Sequence, residues 1–487
     1  MALPAERRGE PASFVEHKAK RGPGAIFPGR PENSGLRTRF VPSTRQLSRI
    51  SEAGFFAPSA PSCAECAELQ ALASYTDAPQ FPLRRRYAAV RDVLDGTRDV
   101  LLGRVDSLPV AWSQARGWSR YLLALSDDAL NTADTLGIGR WFLADPDCPQ
   151  TLRDLAHRVE ELCVLPQWDG NENPSEDLAM EWPFTGARKR RQIAAVLQLL
   201  RAFYPRISEL VDVGAGRGQL TTRAARALAV PALGLERDHE RVAVARLLAG
   251  DAKVEFVTTD VLSTGSSAAE TSPLERLPKV PDRLLVALHG CGELGDAVVR
   301  SAVSLSAHVL LLACCPQKIR ANQRASLGEG GPALPKEVLG LANVLPRTDG
   351  VERSLASTLA TKEDRLALRH LFEARGIAVP AGEEMRGVNR RKVHAGLSAL
   401  ARTAFKARDL PLPPESELRA AAALAQEQYG PFRRLALPRS MLGRVLEIFL
   451  ALDRAVFLSS AGYDVHVVEL FPAKISPRNI AVVGRAK

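Results

Sequence analysis

Asp212, Gly214, Gly216, Gly218 and Glu236 are the residues whose types and spacing speak most directly of chemistry. They stand in ELVDVGAGRGQLTTRAARALAVPALGLERD, Glu209 to Asp238, which reads as strand, glycine turn, helix, second strand and acid. Glycines let backbone come close to a ligand, and the helix that follows offers unpaired amide donors at its start. Glu236 falls where a βαβ unit sets an acid against ribose hydroxyls. The spacing is G-x-G-x-G with Asp212 two residues ahead, whereas the dinucleotide fingerprint is G-x-G-x-x-G. An acid at the end of the first strand repels a pyrophosphate but can pair with an ammonium group, as in S-adenosylmethionine. The loop is read as a site for that cofactor, against the plainer reading of a glycine turn in an unrelated α/β protein.

Further reactive residues sit at the ends of the next apolar runs. VEFVTTD reads as a strand ending on Asp260, positioned to accept a hydrogen bond from an adenine amino group. RLLVALHGCGEL runs into His289 and Cys291, and AHVLLLACCPQK into Cys314, Cys315 and Lys318. Ligands of doubly wound sheets bind beyond the carboxyl ends of strands. Methyl transfer from a sulfonium needs alignment and, where the nucleophile carries a proton, a base. His289 is the candidate base, or equally a histidine that caps the strand end. Cys291, Cys314 and Cys315 are candidates for covalent catalysis, since pyrimidine-C5 methyltransferases hold cysteines beyond strands four and five. The plainer reading is that they are small buried hydrophobes.

These residues require a sheet to position them, and the rest of the chain supplies it. After the strand ending on Cys314 and Cys315, the pattern is broken by Gly and Pro and turns helical. MLGRVLEIFLALDRAVFLSSAG then reads as a long amphipathic helix, followed by the strands YDVHVVELF and IAVVGRA. A terminal hairpin closes an otherwise exposed sheet edge. The last strand is expected beside strand five and antiparallel to it, bringing Ser476, Arg478 and Asn479 towards Cys314 to Lys318. The fold class is therefore α/β: a Rossmann-like, seven-stranded methyltransferase sheet with an α-helical N-terminal domain and a helical insertion. The expected organisation is a basic disordered tail over 1–60 and a helical domain over 61–183, with Trp112, Trp118 and Trp141 in its core. The sheet domain follows over 184–319 and resumes at 438–487, interrupted by the insertion at 320–437.

The 487 residues carry a formal charge of +10 and a pI near 9.4, a balance that suits a polyanion such as RNA. Arg188, Lys189, Arg190 and Arg191 open the helix that leads into the glycine motif. They are read as substrate contacts, with Lys318, Arg478 and Asn479, although a basic run is more often a solvated helix face. Seven cysteines, an odd number, argue against a disulfide framework. Cys63 and Cys66 form one CxxC, short of the four ligands of a structural zinc site, and no metal is expected. The start of the chain lacks the apolar core of a signal peptide and no stretch approaches a membrane span, so the expected location is the cytoplasm.

Taken together, VDVGAGRGQL, ALHGCGEL, LLLACCPQK and ELFPAKISPRNIAVV resemble the methyltransferase-like protein 25 family, relatives once linked to a ribosomal-RNA adenine dimethylase domain. The resemblance covers roughly 108 to 486 and includes LPVAWSQARGWSRYLLALSDDAL in the helical region. It implies a class I S-adenosylmethionine-dependent methyltransferase with Asp212, Gly214, Gly216, Gly218 and Glu236 at the cofactor, acting on RNA, either tRNA or ribosomal RNA. A wider likeness extends to the tRNA ribose methyltransferase of the acceptor stem. Here Pro316, Gln317 and Lys318 follow the paired cysteines, where those relatives tend to carry aromatic or histidine residues. There is no recognisable N/D-P-P-Y/F/W segment after strand four, as in the usual amino-methylating enzymes. Methylation of a protein side chain and a cofactor-binding scaffold without activity stand as the alternatives.

Overall fold

The computed structural model describes residues 81–168, 185–250, 252–263, 272–343, 355–380, 383–388 and 394–487. The tail and the Cys63/Cys66 pair lie outside the described residues.

Seven strands make one sheet: β1 (Glu209–Val213), β2 (Ala232–Glu236), β3 (Val254–Thr258), β4 (Arg283–Ala287), β5 (His308–Leu312), β6 (Asp464–Glu469) and β7 (Ile480–Arg485). Their order is 3-2-1-4-5-7-6. β1 to β5 pair in parallel, while β7 runs antiparallel between β5 and β6, as the apolar closing hairpin leads one to expect. β3 and β6 are the sheet's edges. Residues 166–168 lie along β6: the Trp168 amide donates to the Glu469 carbonyl at 2.8 Å, and the Glu469 amide to the Pro166 carbonyl at 2.8 Å. That strap covers backbone groups an edge strand would otherwise present.

The strands are apolar almost throughout because both faces are covered. Successive side chains go to opposite faces. Leu210, Leu284, Val286, Leu310, Ala481 and Val483 pack with α3 (Ala187–Phe203) and α4 (Gln219–Leu228). Val211, Val213, Leu285, Ala287, Val309 and Val482 pack on the other face, in a larger core shared with α10 (Leu437–Ser460). The same core takes in α1 (Phe81–Gly96), α2 (Gln150–Cys163) and Trp112, Trp118 and Trp141 from short helices between them. The N-terminal helices thus share a core with the sheet.

The long helix is buried on nearly all sides rather than amphipathic, because α1 and the sheet enclose it. Its charged residues face inward and are paired: Asp453 is fully buried, accepting from Arg324 at 2.7 Å, from the Leu327 and Gly328 amides at 2.9 Å each and from the Tyr87 hydroxyl at 3.2 Å. Arg454 donates at 2.9 Å to Asp296 of α6 (Glu293–Leu305), and Asp296 in turn pairs with Arg324. In the stretch read as the insertion, Leu334, Val338, Leu339, Leu341 and Ala342 belong to the main core. A separate core forms from α7 (Leu355–Ala374), α8 (Leu397–Lys406) and α9 (Glu415–Leu435), centred on stacked Phe372 and Phe405. α9 docks on the N-terminal helices through Arg433 to Asp134 at 2.7 Å and Arg434 to Asp127 at 2.8 Å.

Candidate functional site

The glycine loop hangs from β2: the amides of Gly214 and Ala215 both donate to the Leu235 carbonyl, at 2.8 and 3.0 Å. Gly214, Gly216 and Gly218 have φ of 80°, 62° and 73°, a region that costs other residues about 1–2 kcal/mol. The three differ in surroundings. A Cβ on Gly218 would stand 2.4 Å from the Phe256 ring, which also fills the space left by Gly234 in mid-strand. A Cβ on Gly216 would meet nothing within 4 Å. The loop is therefore packed tightly underneath and open above, the shape that a ligand lying on its backbone needs. α4 begins directly after Gly218, which has no side chain to cap it, and Asp212 engages the Thr221 amide in its first turn.

Glu236 closes the cradle. It is 7% exposed, and its carboxylate accepts from the Gly216 amide at 2.9 Å and the Asp238 amide at 3.1 Å. Two further residues on, Asp238 caps α5 (His239–Ala249) by accepting from the amides of Glu240 and Arg241. A carboxylate has about four acceptor positions, so the two amides leave capacity for ribose hydroxyls. The residues present thus fit the nucleoside end of S-adenosylmethionine.

Asp212 has a different place from the one expected. It is 2% exposed, on the α3 and α4 side of the sheet, and it accepts from the Thr221 hydroxyl at 2.6 Å. Its carboxyl lies beneath the loop and braces α4 through Thr221. Burial pushes its pKa up to about 6, against the lowering from Thr221 and from the Lys189 charge. Asp260 lies two residues beyond the end of β3; one oxygen accepts from the Leu262 amide at 3.0 Å and the other from Arg320 at 3.0 Å. Any adenine contact there shares the carboxylate with Arg320.

The basic start of α3 is tied to the same loop. Lys189 donates to the Gln219 side chain at 2.7 Å, and Arg188 to the Ser476 hydroxyl at 3.0 Å. Burial lowers the Lys189 pKa, with the Asp212 charge opposing. Arg190 is half-buried and Arg191 exposed. Arg478 donates to the Ala342 carbonyl at 2.5 Å and pairs with Glu447 at 3.4 Å. Asn479, at 2% exposure, donates to the Phe471 carbonyl at 3.0 Å and accepts from Arg444 at 3.3 Å. Both ends of its amide, read in the sequence as a substrate contact, are engaged in bracing the hairpin. The expected approach of the closing turn to Cys314–Lys318 is indirect, through Ala342 and through Asn343, which donates to Gln317 at 2.5 Å.

Beyond β4 the chain makes a tight turn. His289 is its exposed residue, and the Gly290 amide donates to the Leu312 carbonyl at 3.0 Å. Gly292, with φ of 52°, lies so close to the Lys318 carbonyl that a Cβ would stand 2.2 Å from it. Adjacent strands thereby deliver their ends to one place, and the sulfurs of Cys291, Cys314 and Cys315 all lie within 4.8 Å of one another. Neighbouring thiols and burial push Cys314 up, Cys291 first and Cys315 next. For Cys291 the Cys314 contact lowers, but the Cys315 contact and burial outweigh it and the net shift is upward. Protonated thiols are poor nucleophiles, which weighs against covalent attack by the cluster as it stands.

Residues 188–322 match a family model described as a methyltransferase domain. Two solved structures are similar to parts of the chain: that of the plantazolicin methyltransferase BpumL in complex with SAH, and that of the S-adenosylmethionine-dependent methyltransferase SibL in its apo form. The first is 14% identical with a TM-score of 0.18 and covers 38% of this chain and 60% of that one. The second is 14% identical with a TM-score of 0.19 and covers 46% and 61%. This chain thus spans about three-fifths of the solved chains it matches. Sheet order and glycine loop describe a Rossmann-like domain, and residues 188–322 of it match the model of a methyltransferase domain. Among the described residues no helix is long and apolar enough to cross a membrane.

Proposed function

We propose that the chain transfers a methyl group from S-adenosylmethionine to RNA, and that it belongs with the methyltransferase-like protein 25 relatives it resembles in sequence. The observation that carries the reading is the coupling of the cofactor cradle to a basic helix start: Glu236 holds the Gly216 amide, and Lys189 holds Gln219, the first residue after Gly218. A polyanion drawn to Arg188, Arg190 and Arg191 is thereby brought beside the cleft.

The bound cofactor supplies an electrophilic methyl group on a sulfonium. Glu236 would accept from the ribose hydroxyls, the open side of the glycine loop and the start of α4 would lie against the remaining polar atoms, and Asp260 would meet the adenine edge. His289, exposed just beyond β4, would take a proton from the nucleophile. Asp212 holds the loop in place from beneath through Thr221.

Methyl-labelled cofactor incubated with the purified chain and with separated RNA and protein from cells lacking it tests the reading. Label in the RNA fraction, removed by nuclease, is expected. Label in protein alone would replace RNA by a protein side chain, and label in neither fraction alongside tight cofactor binding would leave a scaffold.

A further inference from the structure

Cys291, Cys314 and Cys315 come from two separate turns, yet their sulfurs form a triangle with every pair within 4.8 Å, the Cys314 and Cys315 pair at 3.6 Å. Three sulfurs bound to one tetrahedral zinc at about 2.3 Å stand roughly 3.8 Å apart, so small side-chain rotations bring the triangle to ligating distance. The backbone that carries them is fixed. Cys291 sits between Gly290, hydrogen-bonded to the end of β5, and Gly292, packed on the Lys318 carbonyl. Cys314 and Cys315 lie two and three residues beyond β5, and the Glu293 amide ties the two turns together by donating to the Lys318 carbonyl at 3.2 Å. All three cysteines are half-buried, which leaves the cluster a route to solvent. Thiols acting only as small hydrophobes have no reason to converge in this way.

We propose that these three cysteines form a zinc site at the carboxyl ends of β4 and β5, beside the cofactor cleft. On binding, the ion replaces three thiol protons, which pass to solvent, and the three-thiolate centre carries one net negative charge that the nearby Lys318 ammonium offsets. Three protein ligands leave the fourth position to water or an incoming donor, the arrangement of an open rather than a closed zinc site. This departs from the expectation of no metal, which rested on the lone Cys63/Cys66 pair. A soft univalent ion such as Cu(I) favours the same donors, so the two are separated in the test.

The full chain, reduced with a phosphine and freed of metal, is titrated with Zn2+ against a chromophoric chelator and, separately, with Co2+. One zinc per chain and a near-ultraviolet sulfur-to-cobalt charge-transfer band are expected. Cys291→Ser and Cys314→Ser should each lose both, whereas Cys148→Ser, Cys163→Ser and the double variant Cys63→Ser/Cys66→Ser should keep them. Cofactor titration of the same preparations reports whether each variant is folded and separates failure of this site from failure of the methyltransferase reading. Wild-type protein that retains no zinc or cobalt would overturn the proposal. So would binding that survives Cys291→Ser, binding that requires Cys63 and Cys66 instead, or uptake of Cu(I) with none of zinc.

Discussion

Replacing Glu236 by Gln isolates the carboxylate from the shape of the cradle. The two oxygens accept from the Gly216 and Asp238 amides, which lie on opposite sides of the group. An amide of the same size has only one oxygen, so its NH2 must face one of those N–H groups, donor against donor. It also removes the charge that ribose hydroxyls would meet. A hydrogen bond to a charged group contributes about 1.5–3 kcal/mol net. At 1.4 kcal/mol per factor of ten, losing one such bond weakens cofactor binding by roughly 10- to 150-fold. Calorimetric titration of Glu236→Gln with S-adenosylmethionine and with S-adenosylhomocysteine should show that loss for both ligands, because both carry the same ribose. Thermal unfolding without ligand should stay cooperative. A variant that remains folded and binds within about twofold of the unaltered chain would refute the assignment of Glu236 to the ribose.

Three other outcomes follow from the structure. Burial holds Asp212 at about 6 against an ordinary 3.8, so the folded state binds its proton more tightly than the unfolded state does. Stability from this group therefore falls as pH rises from about 4 to about 6, by about 3 kcal/mol in all, and is level above that. Asp212→Asn keeps an acceptor for Thr221 and escapes the loss, so its melting temperature relative to the unaltered chain should climb across that window; a flat difference would contradict the reading. Asp453→Ala strips Arg324 of a partner and leaves the Leu327 and Gly328 amides without their acceptor, at a cost of about 3–5 kcal/mol in urea unfolding. A loss below about 1 kcal/mol would mean that water or rearrangement satisfies those groups. Charge reversal at Arg188, Arg190 and Arg191 together should weaken RNA binding and flatten its salt dependence while leaving cofactor affinity in place, as filter binding at several salt concentrations would show; unchanged RNA affinity would remove the basic helix start from the substrate path.

The sheet was legible because its strands are continuous apolar runs ending on glycine or reactive residues, and because the last strand had one sterically sensible slot, between β5 and its hairpin partner β6. The cradle was legible for a related reason: glycines at positive φ and an acid at the end of β2 are local requirements that the sequence carries in order. The direction of a side chain relative to the sheet was harder to read. Asp212 shares the face of Leu210, which is packed by α3 and α4, and only the sheet's pairing shows that this face is closed over it. Asn479 looked like a cleft residue because it follows the closing turn, yet its amide is consumed by Phe471 and Arg444. Helix α10 reads as amphipathic in sequence, and nothing local reveals that Asp453 and Arg454 point into a core where Arg324 and Asp296 meet them. The convergence of Cys291 with Cys314 and Cys315 depends on β4 and β5 being neighbours and on Gly292 lying flat against Lys318. The sequence places the cysteines at strand ends; the contact among them is a tertiary fact.

The most direct test of the account is titration of the purified, unaltered chain with S-adenosylmethionine, followed by amide hydrogen exchange with and without saturating ligand. Saturable binding of one cofactor per chain, competed by S-adenosylhomocysteine, is expected, with exchange slowed at Gly214 to Leu220 and unchanged in α7 to α9. No saturable binding, or protection that appears elsewhere and leaves the glycine loop unaffected, would contradict the claim that this loop and Glu236 hold the methyl donor.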